Sequence, residues 1–345
     1  MNVFSMKAEE NPNKFNAEDA VYMNRALQLA RAGLGSVSPN PMVGAVIVTP
    51  EGRIIGEGYH RRCGEAHAEV NAVKSVAKAD EHLLKESSVY VTLEPCSHYG
   101  KTPPCADLLV DKRFKRVIVG ATDPFEKVSG RGIALLRSAG IEVTTGVLED
   151  RCKSLNARFF TAHTFQRPFI TLKWAQSSDG FMDIVRDDDE KAFRFSTPTT
   201  NMLVHRLRAH HDAIAVGSGT MLADTPLLNV RQWIGDNPRR IVFDRRGRVG
   251  KPTGDIPEVL SQLYKEGITS VFVEGGSTIL QSFINEGLWD LARVEVSPEK
   301  LASRGVAKSP SIGVQPFRSA RVGANAIYYY SNNPLVNYYF IENGL

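Results

Sequence analysis

The sequence predicts two successive α/β domains, and three observations carry that reading. Segments with apolar residues at helical spacing alternate with short apolar runs of strand type. The alternation restarts after Gln166-Arg167-Pro168, where a new apolar strand opens at Phe169. A chain of 345 residues is long for one hydrophobic core and comfortable for two. The expected division is a flexible tail over 1–16, a first domain over 17–165 and a second over 166–345.

In the first domain Ala20, Met23, Leu27 and Ala30 recur at helical spacing within 17–32, and Gly33 and Gly35 end the pattern. Val43 to Val48 reads as a buried strand. Thr49-Pro50-Glu51-Gly52 turns the chain into a second strand, Arg53 to Gly58, which makes the pair a hairpin. A helix over 67–78, a strand over 88–93, a helix over 105–111, a strand over 116–121, a helix over 130–138 and a strand over 141–147 follow. Together they form a three-layer α/β domain. One more helix, over 149–163, leads to the boundary. In the second domain the strands are 169–174, 212–216, 240–243, 269–274, 291–296 and one near the C-terminus, with a helix over 199–208 and a charged stretch at Asp187-Asp188-Asp189-Glu190. No internal repeat relates the halves, so each is expected to do different work.

Composition narrows the function. The formal charge of +4 is small for this length and no Lys/Arg-rich run stands out, which argues against a nucleic-acid partner. No stretch approaches the roughly 18 apolar residues of a membrane span, and Met1 to Asn16 lacks the apolar core of a signal peptide. Four cysteines, Cys63, Cys96, Cys105 and Cys152, are too few for a disulfide scaffold. A reducing, cytoplasmic setting is expected. Tyr and Phe side chains around Tyr328 to Tyr330 and Tyr338 to Phe340 suit a homo-oligomer interface as readily as a core strand.

The chemistry is concentrated in His67-Ala68-Glu69 and in the string from Pro95-Cys96 to Pro104-Cys105. A catalytic zinc site needs imidazole and thiolate ligands on a tetrahedron with one corner open. His67, Cys96 and Cys105 supply three ligands, and Glu69 is the free carboxylate that moves protons between water and a leaving amine. Both strings open helices, where free N–H groups favour thiolate. A closed structural knot normally brings a fourth Cys or His, so that alternative is the weaker one. Zinc nucleobase deaminases usually carry Pro-Cys-x-x-Cys, whereas eight residues separate the cysteines here. This departure, and the second domain, speak against a deaminase of cytidine, dCMP or tRNA adenosine. A catalytically silent zinc-braced sensor is the rival from outside the enzymes.

An ordered series of motifs runs through both halves. It comprises Pro39-Asn40-Pro41-Met42-Val43-Gly44, Gly58-Tyr59-His60, the zinc strings with His98-Tyr99-Gly100-Lys101-Thr102-Pro103-Pro104 between the cysteines, Ser177-x-Asp179-Gly180, Val204-His205-Arg206-Leu207-Arg208-Ala209, Gly219-Thr220, Asp224-x-Pro226-x-Leu228-x-x-Arg231 and Val273-Glu274-Gly275-Gly276. From Ala17 onward the chain resembles the bifunctional riboflavin-biosynthesis enzymes, a pyrimidine deaminase fused to a pyrimidine reductase. The resemblance implies a cytidine-deaminase-like three-layer domain followed by a dihydrofolate-reductase-like α/β domain, with zinc and NADPH as cofactors. It implies deamination of 2,5-diamino-6-ribosylamino-4(3H)-pyrimidinone 5′-phosphate to the 5-aminouracil, then NADPH-dependent reduction of the ribosyl to the ribityl side chain. By the same resemblance Glu69 is catalytic, and Asn40, His60, His98 and Lys101 bind the deaminase substrate. Arg208, Leu228, Arg231 and Glu274 would bind the reductase substrate, the two arginines at its phosphate. Ala175, Arg194, Thr220, Asp224, Gly275, Gly276, Ser277 and Thr278 would bind NADPH. The plain alternatives are a turn for Asn40, an exposed loop position for His60 and a solvated charge for the arginines, which is the preferred reading for Arg206.

Read from the residues without the resemblance, the Gly275-Gly276 pair after an apolar strand is a plausible but weak phosphate seat. No Gly-x-Gly-x-x-Gly of Rossmann type is present. Three positions depart from the family pattern. Ala192 and Arg194 stand where a Ser and a Trp are usual, and Thr225 stands where Asp or Asn is usual. The interval from Asp244 to Ile256 is too short for an additional strand found in many relatives, and a shortened edge there is expected to weaken binding of the adenosine half of NADPH.

Overall fold

The computed structural model describes residues 16–98, 103–125, 129–186, 192–336 and 338. These fall into two compact units, 16–37 with 42–155 and 38–41 with 156–338. The expected tail (1–16, save Asn16) and the acidic stretch at 187–190 lie outside the described residues.

In the first unit, α1 (Ala17–Ala30) starts where the Asn16 side chain accepts the Glu18 N–H. The hairpin β1 (Gly44–Val48) and β2 (Ile54–Tyr59) is followed by α2 (Ala68–Ser75), β3 (Ser88–Leu93), α3 (Cys105–Asp111), β4 (Arg116–Ala121), α4 (Arg131–Ser138), β5 (Glu142–Thr145) and α5 (Glu149–Leu155). The sheet order is β2-β1-β3-β4-β5. β1 is antiparallel to β2 and β3, and β3, β4 and β5 run parallel. Ala45 and Ile47 pack against Ala68 and Ala72 of α2 on one face. Helices approach closely on both faces. A Cβ on Gly44 would sit 2.0 Å from the Ala26 carbonyl oxygen of α1, and one on Gly58 would sit 2.3 Å from the Ala72 nitrogen of α2. Buried Asp19 fixes α1 to the sheet by accepting from Tyr90 Oη at 2.9 Å and from both Arg116 Nη atoms at 2.9 Å. Breaking such a buried pair typically costs about 3–5 kcal/mol.

The second unit runs through α6 (Ala157–Phe165), β6 (Phe169–Gln176), β7 (Phe181–Ile184), α7 (Pro198–Ala209), β8 (Ala213–Gly217), α8 (Ser218–Asp224), β9 (Arg239–Phe243), α9 (Ile256–Lys265), β10 (Ser270–Glu274), α10 (Ser277–Asn285), β11 (Leu291–Val296), β12 (Gly305–Lys308), β13 (Arg318–Val322) and β14 (Asn325–Ser331). Its main sheet has the order β13-β14-β11-β6-β10-β8-β9, and β7 with β12 forms a separate ribbon. The five strands from β11 to β9 are parallel. One face carries Leu260, Leu263, Leu280 and Phe283 from α9 and α10. The other carries Val204 and Leu207 of α7.

Several expectations change. The helix foreseen over 149–163 breaks at Asn156, whose φ of −104° and ψ of 28° leave the helical region. The segment beyond the break packs Ala157 against Phe169, Leu291 and Val336. The division between the units therefore falls between Leu155 and Asn156 instead of at 166. β7, α8, α9, β12 and β13 have no counterpart in the sequence reading. Tyr328 and Tyr330 of β14 pack against the second core, which favours the core-strand reading of those tyrosines. Of 338–340 only Tyr338 is described. The interval from Asp244 to Asp255 is a loop without a strand, as its length required.

Candidate active sites

The metal centre is assembled from two helix starts. His67 is the residue before α2 and Cys105 is the first residue of α3, while Cys96 lies on the loop leaving β3. His67 Nδ1 is 3.6 Å from Cys96 Sγ and 3.3 Å from Cys105 Sγ. The three ligand atoms lie within 4.8 Å of one another, and among the described residues no fourth His, Cys, Asp or Glu joins the group. One soft nitrogen and two sulfurs suit zinc with an open corner. The Cys105 N–H donates to Cys96 Sγ at 3.3 Å. Hydrogen bonding from the Cys105 thiol, then from His67, holds Cys96 at about 4, and the same shared proton pushes Cys105 up. A dication displaces that proton on binding.

Glu69, in the first turn of α2, is 3% exposed and stands outside the ligand group. Burial first and the Cys96 thiolate second push its carboxyl up to about 7. That places it near the value at which a general acid–base works at neutral pH. His60 is not an exposed loop position. It is buried, its Nδ1 lies 3.2 Å from the Ala66 carbonyl oxygen, and its ring meets His67 edge-on at 5.3 Å. His98 is exposed, Asn40 is half-buried in the segment before β1, and Lys101 lies outside the described residues.

Sequence reasoning missed Glu94. This buried carboxylate accepts from the N–H groups of Asp123, Gly130, Gly132 and Ile133 at 3.3, 3.0, 3.0 and 3.3 Å. It gathers the start of α4 and so braces Pro95-Cys96, the next residues along. A Cβ on Gly132 would lie 2.1 Å from the Pro95 carbonyl oxygen, so this contact requires glycine. The available signal was an acid directly before Pro-Cys.

The second unit contains a cavity of about 1700 Å³. Ala175, Arg194, Arg208, Thr220, Asp224, Leu228, Arg231, Glu274, Gly275, Gly276, Ser277 and Thr278 all line it. Arg208 and Glu274 form a bidentate pair, Nε–Oε1 2.7 Å and Nη2–Oε2 2.8 Å, and Arg208 Nη1 donates to the Asn229 carbonyl at 3.0 Å. Burial, the largest single influence, pushes Glu274 up, but the Arg208 hydrogen bond together with the charges of Arg208, Lys173 and His205 brings it below the usual carboxylate value. Arg208 is thus largely committed to holding Glu274. Arg231 is exposed, and its Nη1 donates to Asn229 Oδ1 at 2.9 Å. Arg206 is not simply solvated, since its guanidinium lies 5.6 Å over the Trp233 ring. Leu228 (φ 49°) and Thr225 (φ 39°) hold left-handed backbone on the loop carrying Asp224, strain of the kind that clusters at ligand sites. At the start of α10 the Gly276 N–H donates to Thr220 Oγ1 at 3.0 Å, and no side chain caps the helix. Its free N–H groups are a seat for phosphate. Lys173, which the sequence places in the family motif Leu172-Lys173 without a role of its own, also lines this cavity. Desolvation lowers its pKa, while Glu274 and Glu295 oppose that shift.

Fold and sites define a class first: a zinc-type deaminase domain joined to a reductase domain. Residues 16–121 match the cytidine and deoxycytidylate deaminase zinc-binding region, and residues 168–304 match the RibD C-terminal domain. The riboflavin biosynthesis protein RibD of Actinobacillus pleuropneumoniae is 36% identical, over 85% of this chain and 86% of that protein. RibD of Escherichia coli (strain K12) is 35% identical, over 86% of this chain and 92% of that protein. The solved diaminohydroxyphosphoribosylaminopyrimidine deaminase/5-amino-6-(5-phosphoribosylamino)uracil reductase of Thermotoga maritima superposes with a TM-score of 0.80 at 34% identity, covering 91% of this chain and 98% of that one. The chain belongs to the RibD family of riboflavin biosynthesis proteins.

Proposed function

We propose that the first unit deaminates 2,5-diamino-6-ribosylamino-4(3H)-pyrimidinone 5′-phosphate at its amine-bearing C2 and that the second unit reduces the product's ribosyl group with NADPH. The observation that carries the first half is a buried carboxylate, Glu69, beside a His67–Cys96–Cys105 group it does not join. When bound there, zinc supplies Lewis acidity and lowers the pKa of water to about 7. Glu69 takes a proton from the attacking water and delivers one to the departing amine, releasing ammonia. His60 packs edge-on against His67 and keeps the imidazole in place.

In the second unit NADPH supplies hydride when bound. The free N–H groups of Ser277 and Thr278 suit its diphosphate, and Gly275 and Gly276 line the same seat. Ala175, Arg194 and Asp224 line the same cleft. Glu274, steadied by Arg208, faces the substrate's ribose, and Lys173 is the ammonium available to protonate its oxygen as the ring opens. Arg231 is left to meet the substrate phosphate, for which a guanidinium fork is suited. By the family's motifs, Asn40, His98 and Lys101 are the residues assigned to binding the deaminase substrate in this reading. Four free cysteines fit a reducing, cytoplasmic setting. No helix of the described residues is long and apolar enough to cross a membrane.

Chelation of the metal tests the division of labour. Ammonia release from the pyrimidine phosphate stops, whereas NADPH oxidation on the deaminated intermediate continues. Equal loss of both activities, or ammonia release from free cytidine at a comparable rate, contradicts the reading.

A further inference from the structure

We propose that His205 is a positioning residue of the reductase site: its imidazole holds the backbone of Arg231 and so places the guanidinium that meets the substrate phosphate. The inference deepens the reading of Arg231 as the phosphate's partner and rests on it. Arg231 lies on the segment 225–238 between α8 and β9, which has neither helix nor strand. A segment of that length without structure of its own needs a rigid template if one of its side chains is to meet a small ligand in a fixed place. Arg231 is exposed, and its Nη1 hydrogen bond, to Asn229 Oδ1, stays within the same segment.

The template is one face of α7. Asn201, His205 and Arg208, spaced i, i+4 and i+7, lie above one another on the helix. Asn201 Nδ2 donates to Gln232 Oε1 at 2.7 Å, the Arg231 N–H donates to His205 Nδ1 at 3.2 Å, and Arg208 Nη1 donates to the Asn229 carbonyl at 3.0 Å. The helix and the segment, running in opposite directions, are thus fastened at three successive points. Farther along, a Cβ on Gly235 would come 2.8 Å from Ala209 Cβ, so the segment lies tight on the last turn of α7. Arg208 is itself locked to Glu274, which ties this clasp to β10. Asn201, Arg208, Arg231 and Gln232 line the cavity, whereas His205 is 0% exposed and acts from behind them.

His205 is the middle point of the clasp, and its chemistry argues for a purpose beyond packing. To accept the Arg231 N–H at Nδ1, the neutral ring carries its proton on Nε2. Nε2 is buried and has no hydrogen-bond partner among the described residues. A buried donor left unpaired costs stability, so an apolar side chain would serve the core better. What the imidazole supplies that an apolar residue lacks is the acceptor for Arg231. Burial first, then the charges of Arg208 and Arg231, lower its pKa against Glu274 and the Asn229 backbone, which keeps the ring neutral and able to accept.

Steady-state kinetics of the reductase half of the zinc-loaded full chain, with the deaminated intermediate as substrate, test this. His205→Leu raises KM about 10-fold, the low end for loss of a charge-assisted hydrogen bond, and leaves kcat within about twofold. The inhibition constant of inorganic phosphate rises by a similar factor. The thermal midpoint holds or increases, because the unpaired donor is gone. His205→Phe, which keeps the ring's shape, behaves alike, and whichever of the two apolar variants folds carries the test. His205→Asn, whose Oδ1 can take the place of Nδ1, brings KM back to within about threefold of the unaltered protein. In a double-mutant cycle, the apolar substitution adds nothing to Arg231→Ala, since it acts through that residue. An unchanged KM in the apolar variants, a fall in kcat together with the thermal midpoint, loss of the folded state in both, no recovery in His205→Asn, or additive effects in the cycle overturns the inference and leaves Arg231 with the phosphate. An unchanged KM in Arg231→Ala removes the phosphate reading and the inference together.

Discussion

Glu274 is where one side chain carries the most in the second unit. Its two oxygens neutralise Arg208 inside the cavity wall, and removing one partner of a buried pair typically costs about 3–5 kcal/mol. Glu274→Gln keeps the volume and removes the charge. It is expected to lower reductase kcat/KM by about 100-fold or more, since that loss in binding or positioning corresponds to roughly 3 kcal/mol. Ammonia release stays within about twofold. Steady-state kinetics of both reactions check this, and a parallel fall in the two rates counts against it. At this scale the sequence is legible where chemistry restricts the choice of residue. His67, Glu69, Cys96 and Cys105 could be named from their order in the chain because few other side chains serve zinc and proton transfer. Glu94 and the pairing of Arg208 with Glu274 could not, because their partners come from distant segments that only the fold brings together.

At the scale of elements, the end of α7 sets a pH limit on the second unit. His210, just after the helix, is held at about 4 by burial, with Arg158 and Arg206 adding to the shift. His211 is lowered for the same first reason. A free histidine titrates near 6.5. Between about pH 6.5 and 4 the unfolded chain therefore binds protons that the folded chain refuses, so stability falls as pH drops through that window and is fully present above it. The loss approaches about 1.4 kcal/mol per pH unit for each such group. Urea midpoints at pH 7 and pH 5 check it, and His210→Gln is expected to flatten the slope; an unchanged slope in that variant assigns the acid sensitivity elsewhere. The parallel strands were readable as apolar runs because both faces of such sheets are covered. The break at Asn156 was not, since the residues on either side keep an apolar helical pattern and only the packing of Ala157 on Phe169 separates them. β7 and β12 are four-residue strands with little burial, too short for alternation to register. α9 did carry a signal, Asp255 as cap, Pro257 in the first turn and Ile256, Leu260 and Leu263 on one face, but the Gly- and Pro-rich stretch before it obscured the start.

At the scale of the whole molecule, two α/β units each bring their chemistry to the ends of their strands and the starts of the helices that follow. In the first, α2 and α3 present an imidazole and a thiolate beside the buried carboxyl of Glu69. In the second, the turn from β10 into α10 presents backbone N–H groups to an anion, and Glu274 closes the strand before it. The central claim is that Glu69 moves protons without holding the metal. The direct measurement is zinc content together with ammonia release in Glu69→Gln. The account predicts zinc retained at the level of the unaltered protein, ammonia release lowered by about 100-fold or more, and NADPH oxidation on the deaminated intermediate unchanged. Ammonia release near the original rate, or loss of zinc along with activity, contradicts it.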